Sequence, residues 1–287
     1  MSITINTNTA ALNAQRWLGN TNSSLRSSFE KLSSGLRITR AKDDAAGLAI
    51  AENLRAQSSL ATVAMRNAND GVNLITITDG ALGEITNTLV RMGELAEQSA
   101  NGVLSGTQRS ALQQEFSFLG SEIQRISETT QFNNLNLLSS AGEISFQIGI
   151  DGSLNSQISF SGIEGTLESL GLASQGSNVL LFSLTTTGTV QQQQAAARSA
   201  LDAITNSITS VTSRRGTLGA TESRLSVAIN NLALARENWK VAESQIRDVD
   251  VAEEASKMTR LNILQQAGSS VLAQANQLPS MATQLLG

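Results

Sequence analysis

Apolar residues recur at helical spacing at both ends of the chain, and the only strand-like stretch lies between about residues 140 and 190. Positions three, four or seven apart lie on one face of an α-helix. The front stripe consists of Leu18, Leu25, Phe29, Leu32 and Leu36. The back stripe consists of Leu218, Leu225, Ile229, Leu232, Trp239 and Ile246. Such stripes need apolar partners, so the layout predicts a chain that leaves and returns through one helical bundle.

The composition favours long helices. Pro279 is the single proline, so the strongest helix breaker is absent from all of the sequence before it. The chain is 40% hydrophobic but only 3% aromatic, which predicts an aliphatic, Ala-rich core. We therefore predict a mainly α fold: a long antiparallel helical bundle or coiled coil made from both chain termini, with a small β-hairpin region in the middle.

Composition also excludes several classes of function. The net charge is −4 and no basic run stands out, which argues against a nucleic-acid partner. His and Cys are both absent, so the commonest general base, the thiol nucleophile and the usual zinc ligands are missing. We expect no enzyme, no catalytic residue, no metal and no cofactor. No stretch reaches membrane-spanning length, so we expect no membrane insertion.

Helical periodicity and its stop signals predict the order of the elements. A first helix should run over about residues 10–36, with a weak point at residues 19–22 and a stop at Gly35. Asp43 and Asp44 precede an Ala-rich run where an Asp side chain can cap a long helix that begins near Ala45. Asp79 is the one polar intrusion in the near-heptad pattern of that helix.

A returning helix should follow the Gly-containing turn near residues 101–106. Residues 144–150 and 158–160 alternate between apolar and polar side chains on either side of Asp151-Gly152, which predicts a β-hairpin. Residues 162–190 are rich in Gly, Ser and Thr and predict a minimal outer tip. Further helices should cover about residues 191–246, softened at Gly216 and Gly219, and about residues 251–276.

Both ends of the chain resemble bacterial flagellin. The front segments that carry the resemblance are INTNTAALNAQ, KLSSGLRITRAKDDAAGLAIAENLRAQ, ANDGVNLITITDGAL, ELAEQSANG and TTQFNNLNLL. The back segment is DVDVAEEASKMTRLNILQQAGSSVLAQANQLPSMATQLL. The resemblance extends over roughly the first 140 and last 95 residues, and the centre resembles a short form that lacks large outer domains.

The resemblance implies a structural subunit that polymerises into the helical filament of the bacterial flagellum. It implies an inner terminal-helix domain of residues 1–42 with 248–287, the filament core. A helical-bundle domain would comprise residues 43–161 with 191–247, including the hairpin at about 143–161. Residues 162–190 would form the outer tip, where Ser and Thr residues could carry O-linked sugars.

The resemblance also implies partners and a location. The chain would be exported through the flagellar type III export apparatus and would lie outside the cell in the filament. The opening residues lack a basic region and a continuous apolar run, so no cleaved signal peptide is expected. Expected partners are other copies of the chain, the flagellar cap, the hook–filament junction proteins and a flagellin-specific secretion chaperone.

The same resemblance supplies candidate sites. Polymer packing is expected at Leu18, Leu25, Phe29, Leu32, Leu36, Met258, Leu264, Val271, Leu272, Leu278, Leu285 and Leu286. Arg37, Arg40, Asp43 and Asp44 could make polar contacts between subunits, but capping of a helix is the favoured role of the two aspartates, and both roles can coexist. Arg91, Leu95 and Glu115 fall where some flagellins bind Toll-like receptor 5, and the alternative is an ordinary solvated helix face with Leu95 packed on a neighbour.

Two other functions remain as alternatives. A hook–filament junction protein has helical ends of a similar kind and also polymerises, but into a short ring. The segment NILQQAGSSVLAQANQLP favours the filament subunit over it. A secreted helical effector would need wider apolar faces with cationic borders, which these Ala-diluted stripes lack.

Overall fold

The structure is a computed structural model that describes residues 7–139, 142–185 and 189–286, with side chains up to Gln277. Within those residues the helices are α1 (Thr9–Ser34), α2 (Ala45–Ala100), α3 (Gly106–Thr129), α4 (Val190–Arg247) and α5 (Val251–Leu286). The strands are β1 (Gln131–Phe132), β2 (Leu135–Asn136), β3 (Ile144–Gln147) and β4 (Gln157–Phe160). The predicted mainly α fold class is therefore confirmed.

The chain divides into two compact units. The terminal unit takes in the described parts of Met1–Ser58 and Arg236–Gly287, and the central unit is Ser59–Ala235. Helices α2 and α4 each contribute residues to both units. The predicted boundaries at residues 42 and 248 concern layers of a filament, and they stay a prediction.

Helices α1 and α5 pack against each other in the terminal unit. Helix α1 starts where the Asn8 Oδ1 accepts a hydrogen bond from the backbone N–H of Ala11 at 3.0 Å. The Asn8 amide also donates to the Ala275 carbonyl at 2.6 Å, so one side chain caps α1 and ties it to α5. The helix continues through residues 19–22, where a weak point was expected, and ends at Gly35 as predicted. Gly35 adopts a φ of 71°, which favours glycine.

The two short connections that follow α1 and α4 pair with each other. Leu36 and Asp248 form an isolated antiparallel bridge. Arg37 N–H donates to the Arg247 carbonyl at 2.6 Å, and Val249 N–H donates to the Gly35 carbonyl at 3.0 Å. Backbone groups that would otherwise be free at two helix ends are thereby satisfied.

The core of the central unit is built on helices at the predicted spacing. Ile75, Leu82 and Leu89 of α2 are each 0% exposed, at intervals of seven residues. The polar intrusion at Asp79 is explained by a fork-shaped contact with Arg215 on α4. Arg215 Nε lies 2.7 Å from Asp79 Oδ1, and Arg215 Nη2 lies 3.1 Å from Asp79 Oδ2.

Two hairpins follow α3. Strands β3 and β4 pair antiparallel with Ile144 opposite Phe160, which confirms the predicted hairpin. A second, shorter hairpin joins β1 and β2 and was not predicted. Its turn residues Asn133 and Asn134 have φ values of 47° and 65°, the backbone of a two-residue hairpin turn. The Asn-Asn dipeptide was the signal that could have identified it.

The segment after β4, for which an outer tip was predicted, is partly buried in the central unit. No residue from 162 to 185 belongs to a helix or strand, but apolar side chains of this segment are buried in the central unit. The buried members are Ile163, Leu167, Leu170, Leu172, Ala173 and Leu184. The Arg214 guanidinium donates to the carbonyls of Glu164 and Ser169, and burial lowers the pKa of Arg214. The segment is therefore held as part of the core, while its place on a filament surface stays a prediction.

Candidate assembly surface

The predicted packing residues divide into two groups in the terminal unit. Leu25 is buried. The half-buried members are Leu18, Leu32, Leu36, Met258 and Leu272. Leu18 lies against Gly268 of α5, where its Cδ1 would be 3.4 Å from an added Cβ. Leu278, Leu285 and Leu286 lie outside the residues whose side chains are described.

The second group remains open to solvent. Phe29, Leu264 and Val271 are 51%, 51% and 54% exposed. Further exposed apolar residues of the terminal unit, which the sequence analysis did not select, are Leu12, Trp17, Ile50, Val241, Val251 and Ile263. We call these nine residues the open apolar set. Where exposed apolar side chains lie side by side they mark an interaction surface, so these residues are candidates for contact with a partner.

The sequence signal that could have identified residues such as Trp17 and Ile263 is the width of the apolar stripes on α1 and α5. Trp17 precedes Leu18, and Ile263 precedes Leu264, so apolar side chains extend beyond a single seam. A helix that packs on one neighbour needs only one narrow stripe. The wider stripes indicate that α1 and α5 have apolar surface left over after they have packed on each other.

A buried polar contact fixes α1 against α5. Ser28 is 0% exposed and Glu254 is 7% exposed. The Ser28 hydroxyl donates to Glu254 Oε1 at 2.5 Å, and Lys257 Nζ lies 3.5 Å from the same oxygen. Burial raises the pKa of Glu254, but the Ser28 hydrogen bond and the charges of Lys257 and Lys31 outweigh it, so the pKa lies below its usual value.

The lowered pKa of Glu254 predicts acid sensitivity of the α1–α5 contact. The ionised carboxylate stabilises the folded chain above the unfolded-state pKa of about 4.3, and this contribution is lost as pH falls through the lower folded-state pKa. We expect E254Q to lower the local stability of α1 and α5 at neutral pH by about 1–2 kcal/mol. Hydrogen exchange of amides in both helices measures it. The exposed neighbour Glu253 offers a matched control, because E253Q should leave exchange unchanged.

The candidate inter-subunit polar residues all have partners within the chain. Arg37 donates to the Ile246 carbonyl, and Arg40 Nη2 lies 2.6 Å from Glu30 Oε1. Asp44 Oδ1 accepts from Gly47 N–H at 2.8 Å, so it caps α2 as the alternative interpretation expected.

Asp43 lies outside the cap and closes the preceding turn. Its Oδ2 accepts from the Thr39 hydroxyl at 3.0 Å and from Arg40 N–H at 3.1 Å. The Thr39 hydroxyl is the main cause that lowers the pKa of Asp43, and the backbone N–H groups of Arg40 and Thr39 add to it.

The candidate receptor patch lies on α2 and α3 of the central unit. Arg91 Nη2 lies 2.8 Å from Glu115 Oε1, and Arg91 Nη1 lies 2.8 Å from Glu94 Oε2. Hydrogen bonds to Glu94 and Glu115 raise the pKa of Arg91. Leu95 is 1% exposed and packs in the core. The structure therefore brings two of the three residues together at the surface and buries the third in the core.

The described part of the chain contains neither a candidate metal site nor a candidate membrane span. Its acidic side chains form no group of three that could hold a metal ion. None of the helices over those residues combines the length and apolarity that a bilayer crossing requires.

Comparison with known proteins identifies the family. The profile of the bacterial flagellin N-terminal helical region matches residues 5–143, and that of the C-terminal helical region matches residues 201–286. Flagellin of Halalkalibacterium halodurans is 42% identical over 283 residues, which cover 98% of this chain and 99% of that protein. Flagellin of Bacillus subtilis is 40% identical over 306 residues, again covering 98% of this chain and 99% of the relative.

A solved structure supports the fold alone. A putative flagellar hook-associated protein from Vibrio parahaemolyticus has a TM-score of 0.57 at 13% identity, covering 72% of this chain and 100% of that chain. The flagellin matches, by contrast, extend over almost the full length of both partners at an identity that defines a family. The chain therefore belongs to the bacterial flagellin family, whose members are structural proteins of the flagellar filament and not enzymes.

Proposed function

We propose that this chain is the structural subunit that polymerises into the helical filament of the bacterial flagellum for motility, and that its terminal helices make the coiled-coil contacts. The observation that carries the proposal is the open apolar set on the terminal unit. Its members remain exposed after α1 and α5 have packed together. A polymer of identical subunits covers such a surface with copies of itself.

The size of this surface suits assembly by growth on an existing end. Each of the nine residues has roughly half of its side chain left to bury, or about 1 kcal/mol, which gives roughly 10 kcal/mol in total. Association costs about 4–15 kcal/mol before any gain appears. Because the two figures are of similar size, a contact with one neighbour that covers part of the set contributes little net free energy, and a lattice site that covers all of it binds more tightly.

The layered arrangement is part of the same proposal. Residues 1–42 with 248–287 would form the filament core, residues 43–161 with 191–247 the surrounding layer, and residues 162–190 the outer tip. Arg37, Arg40, Asp43 and Asp44 would add contacts to neighbouring subunits. Because each already has a partner within the chain, these contacts would be second interactions of modest strength.

Assembly outside the cell requires further partners. We propose export through the flagellar type III apparatus, and growth beneath the flagellar cap on the hook–filament junction proteins. A secretion chaperone would cover the C-terminal apolar stripe before export, since the same surface can serve two partners at different times.

Recognition by Toll-like receptor 5 is a separate proposal about the central unit. The side chains of Arg91 and Glu115 are 50% and 45% exposed and could contact a receptor. Leu95, being buried, would support the surface beneath them without touching the partner. Receptor binding would therefore depend on the shape of the α2–α3 surface as well as on its charges.

Electron microscopy of the purified chain after addition of short filament seeds tests the proposed function. We expect long filaments to grow from the seeds. Monomers only, under conditions in which a control flagellin grows, would contradict the proposal. Short rings or stubs would favour the hook–filament junction protein instead.

A further inference from the structure

The turn between α2 and α3 contains the only Asn-Gly dipeptide of the sequence, Asn101-Gly102. Both residues are exposed and lie outside the helices. Glycine leaves its own backbone nitrogen unhindered and gives the chain there unusual conformational freedom. An Asn side chain followed by glycine can therefore be attacked by that nitrogen, which makes the dipeptide a candidate for spontaneous chemistry.

The side chain of Asn101 is held close to this nitrogen. Its Oδ1 accepts a hydrogen bond from the Val103 N–H at 3.2 Å. The ring that this hydrogen bond closes contains both Asn101 Cγ and the Gly102 nitrogen, so the bond holds the two atoms within one tight turn. The Val103 N–H also points at the oxygen on which negative charge would develop during attack on Cγ.

A buried arginine binds the carbonyl oxygen of the peptide group that joins Asn101 to Gly102. Arg109 is 0% exposed. Its Nη2 donates to the Asn101 carbonyl at 2.7 Å, and its Nη1 donates to the Ser99 carbonyl at 2.6 Å. A charged donor on a peptide oxygen withdraws electron density from the attached N–H and makes it more acidic. Here the attached N–H is that of Gly102, the nucleophile.

We propose that Asn101 is a self-modification site, at which the fold promotes succinimide formation with Gly102 and subsequent hydrolysis by water. The Gly102 nitrogen loses its proton to solvent and forms a bond to Asn101 Cγ. The Cγ–Nδ2 bond breaks, and the nitrogen leaves as ammonia after taking up a proton. Water then opens the ring to a carboxylate, so the net change replaces the side-chain NH₂ by an ionised oxygen.

The position of Arg109 also selects the product. Water attack on the former backbone carbonyl of residue 101 leaves its carboxylate free and joins Gly102 to Cγ, which is the isoaspartate product. Arg109 already donates to that carbonyl oxygen. It activates this carbonyl towards water and then pairs with the carboxylate formed, so isoaspartate should dominate over aspartate.

The test compares the folded full-length chain with the same chain held unfolded in denaturant, at one pH and temperature. Peptide mapping by mass spectrometry quantifies both products at residue 101. We expect the folded chain to react about tenfold faster, as about 1.4 kcal/mol of transition-state hydrogen bonding would give, with a higher share of isoaspartate. An equal or slower rate in the folded chain overturns the proposal.

Two variants and one internal reference sharpen the result. Asn155, which precedes Ser156 in another exposed turn, shows the background rate within the same sample. N101Q should remove the product at this position. R109K, checked for helix content, should bring the rate and the isoaspartate share of the folded chain towards the unfolded values. A folded R109K chain that reacts like the unaltered chain would contradict the assigned role of Arg109.

Discussion

Replacement of Leu264 by aspartate should stop seeded filament growth while the free chain keeps its fold. Leu264 lies on α5 and is 51% exposed, so the isolated chain tolerates a polar side chain there. A subunit contact that covers this position would lose about 1 kcal/mol of apolar burial and would have to bury an unpaired carboxylate at a cost of several kcal/mol. We expect the critical concentration for growth to rise by at least about a hundredfold.

Leu154 provides the control for this experiment. It is 85% exposed but belongs to the central unit, in the turn before β4. L154D introduces the same charge and should leave both the fold and seeded growth intact. Turbidity and electron microscopy of the two variants, with circular dichroism of the monomers, would decide the matter. Filaments of L264D at the concentration that suffices for the unaltered chain would show that the open apolar set does not carry assembly.

Replacement of Arg109 by alanine should have the largest effect on the stability of the central unit. The guanidinium is fully buried and satisfies the carbonyls of Ser99 and Asn101 at the end of α2. R109A leaves the buried Ser99 carbonyl and the partly buried Asn101 carbonyl without this donor, and a cavity where the side chain lay. We expect a loss of about 3–5 kcal/mol in the free energy of unfolding.

An exposed arginine of the same helix, α3, gives a matched comparison. Arg125 pairs only with Glu122 on the same helix, and its side chain is 60% exposed. R125A should change the free energy of unfolding by no more than about 0.5 kcal/mol. Urea unfolding followed by probes in the central unit measures both variants. Equal effects would mean that the carbonyl contacts of Arg109 contribute little to stability.

Much of the fold could be predicted because long helices with seven-residue apolar spacing leave a strong local signal. The start of α2 at Ala45 and the stop of α1 at Gly35 follow from capping chemistry that acts within a few residues. The burial of residues 162–185 had no such signal. Its apolar side chains are irregularly spaced, and the arginine that binds the segment lies on α4, far away in the sequence.

The candidate surface was predictable only in part for a related reason. Periodicity identifies which residues face a partner, but it does not say whether that partner belongs to the same chain. Leu25 and Leu18 turned out to serve the contact of α1 with α5, whereas Trp17, beside them in the sequence, stays open. The buried role of Arg109 was likewise hidden, because the partners of the guanidinium are backbone carbonyls that every residue type possesses.

The binding of arginines to backbone carbonyls has a consequence for how the loop sequences can change. Arg109 and Arg214 fasten the α2–α3 turn and the segment after β4 mainly through main-chain oxygens. Mutation of the side chains in these loops leaves such anchoring points in place, since the carbonyl remains whatever residue is encoded. The exposed positions of these loops can therefore change without loss of the arginine contacts, whereas the buried apolar side chains between residues 162 and 185 remain tied to the core.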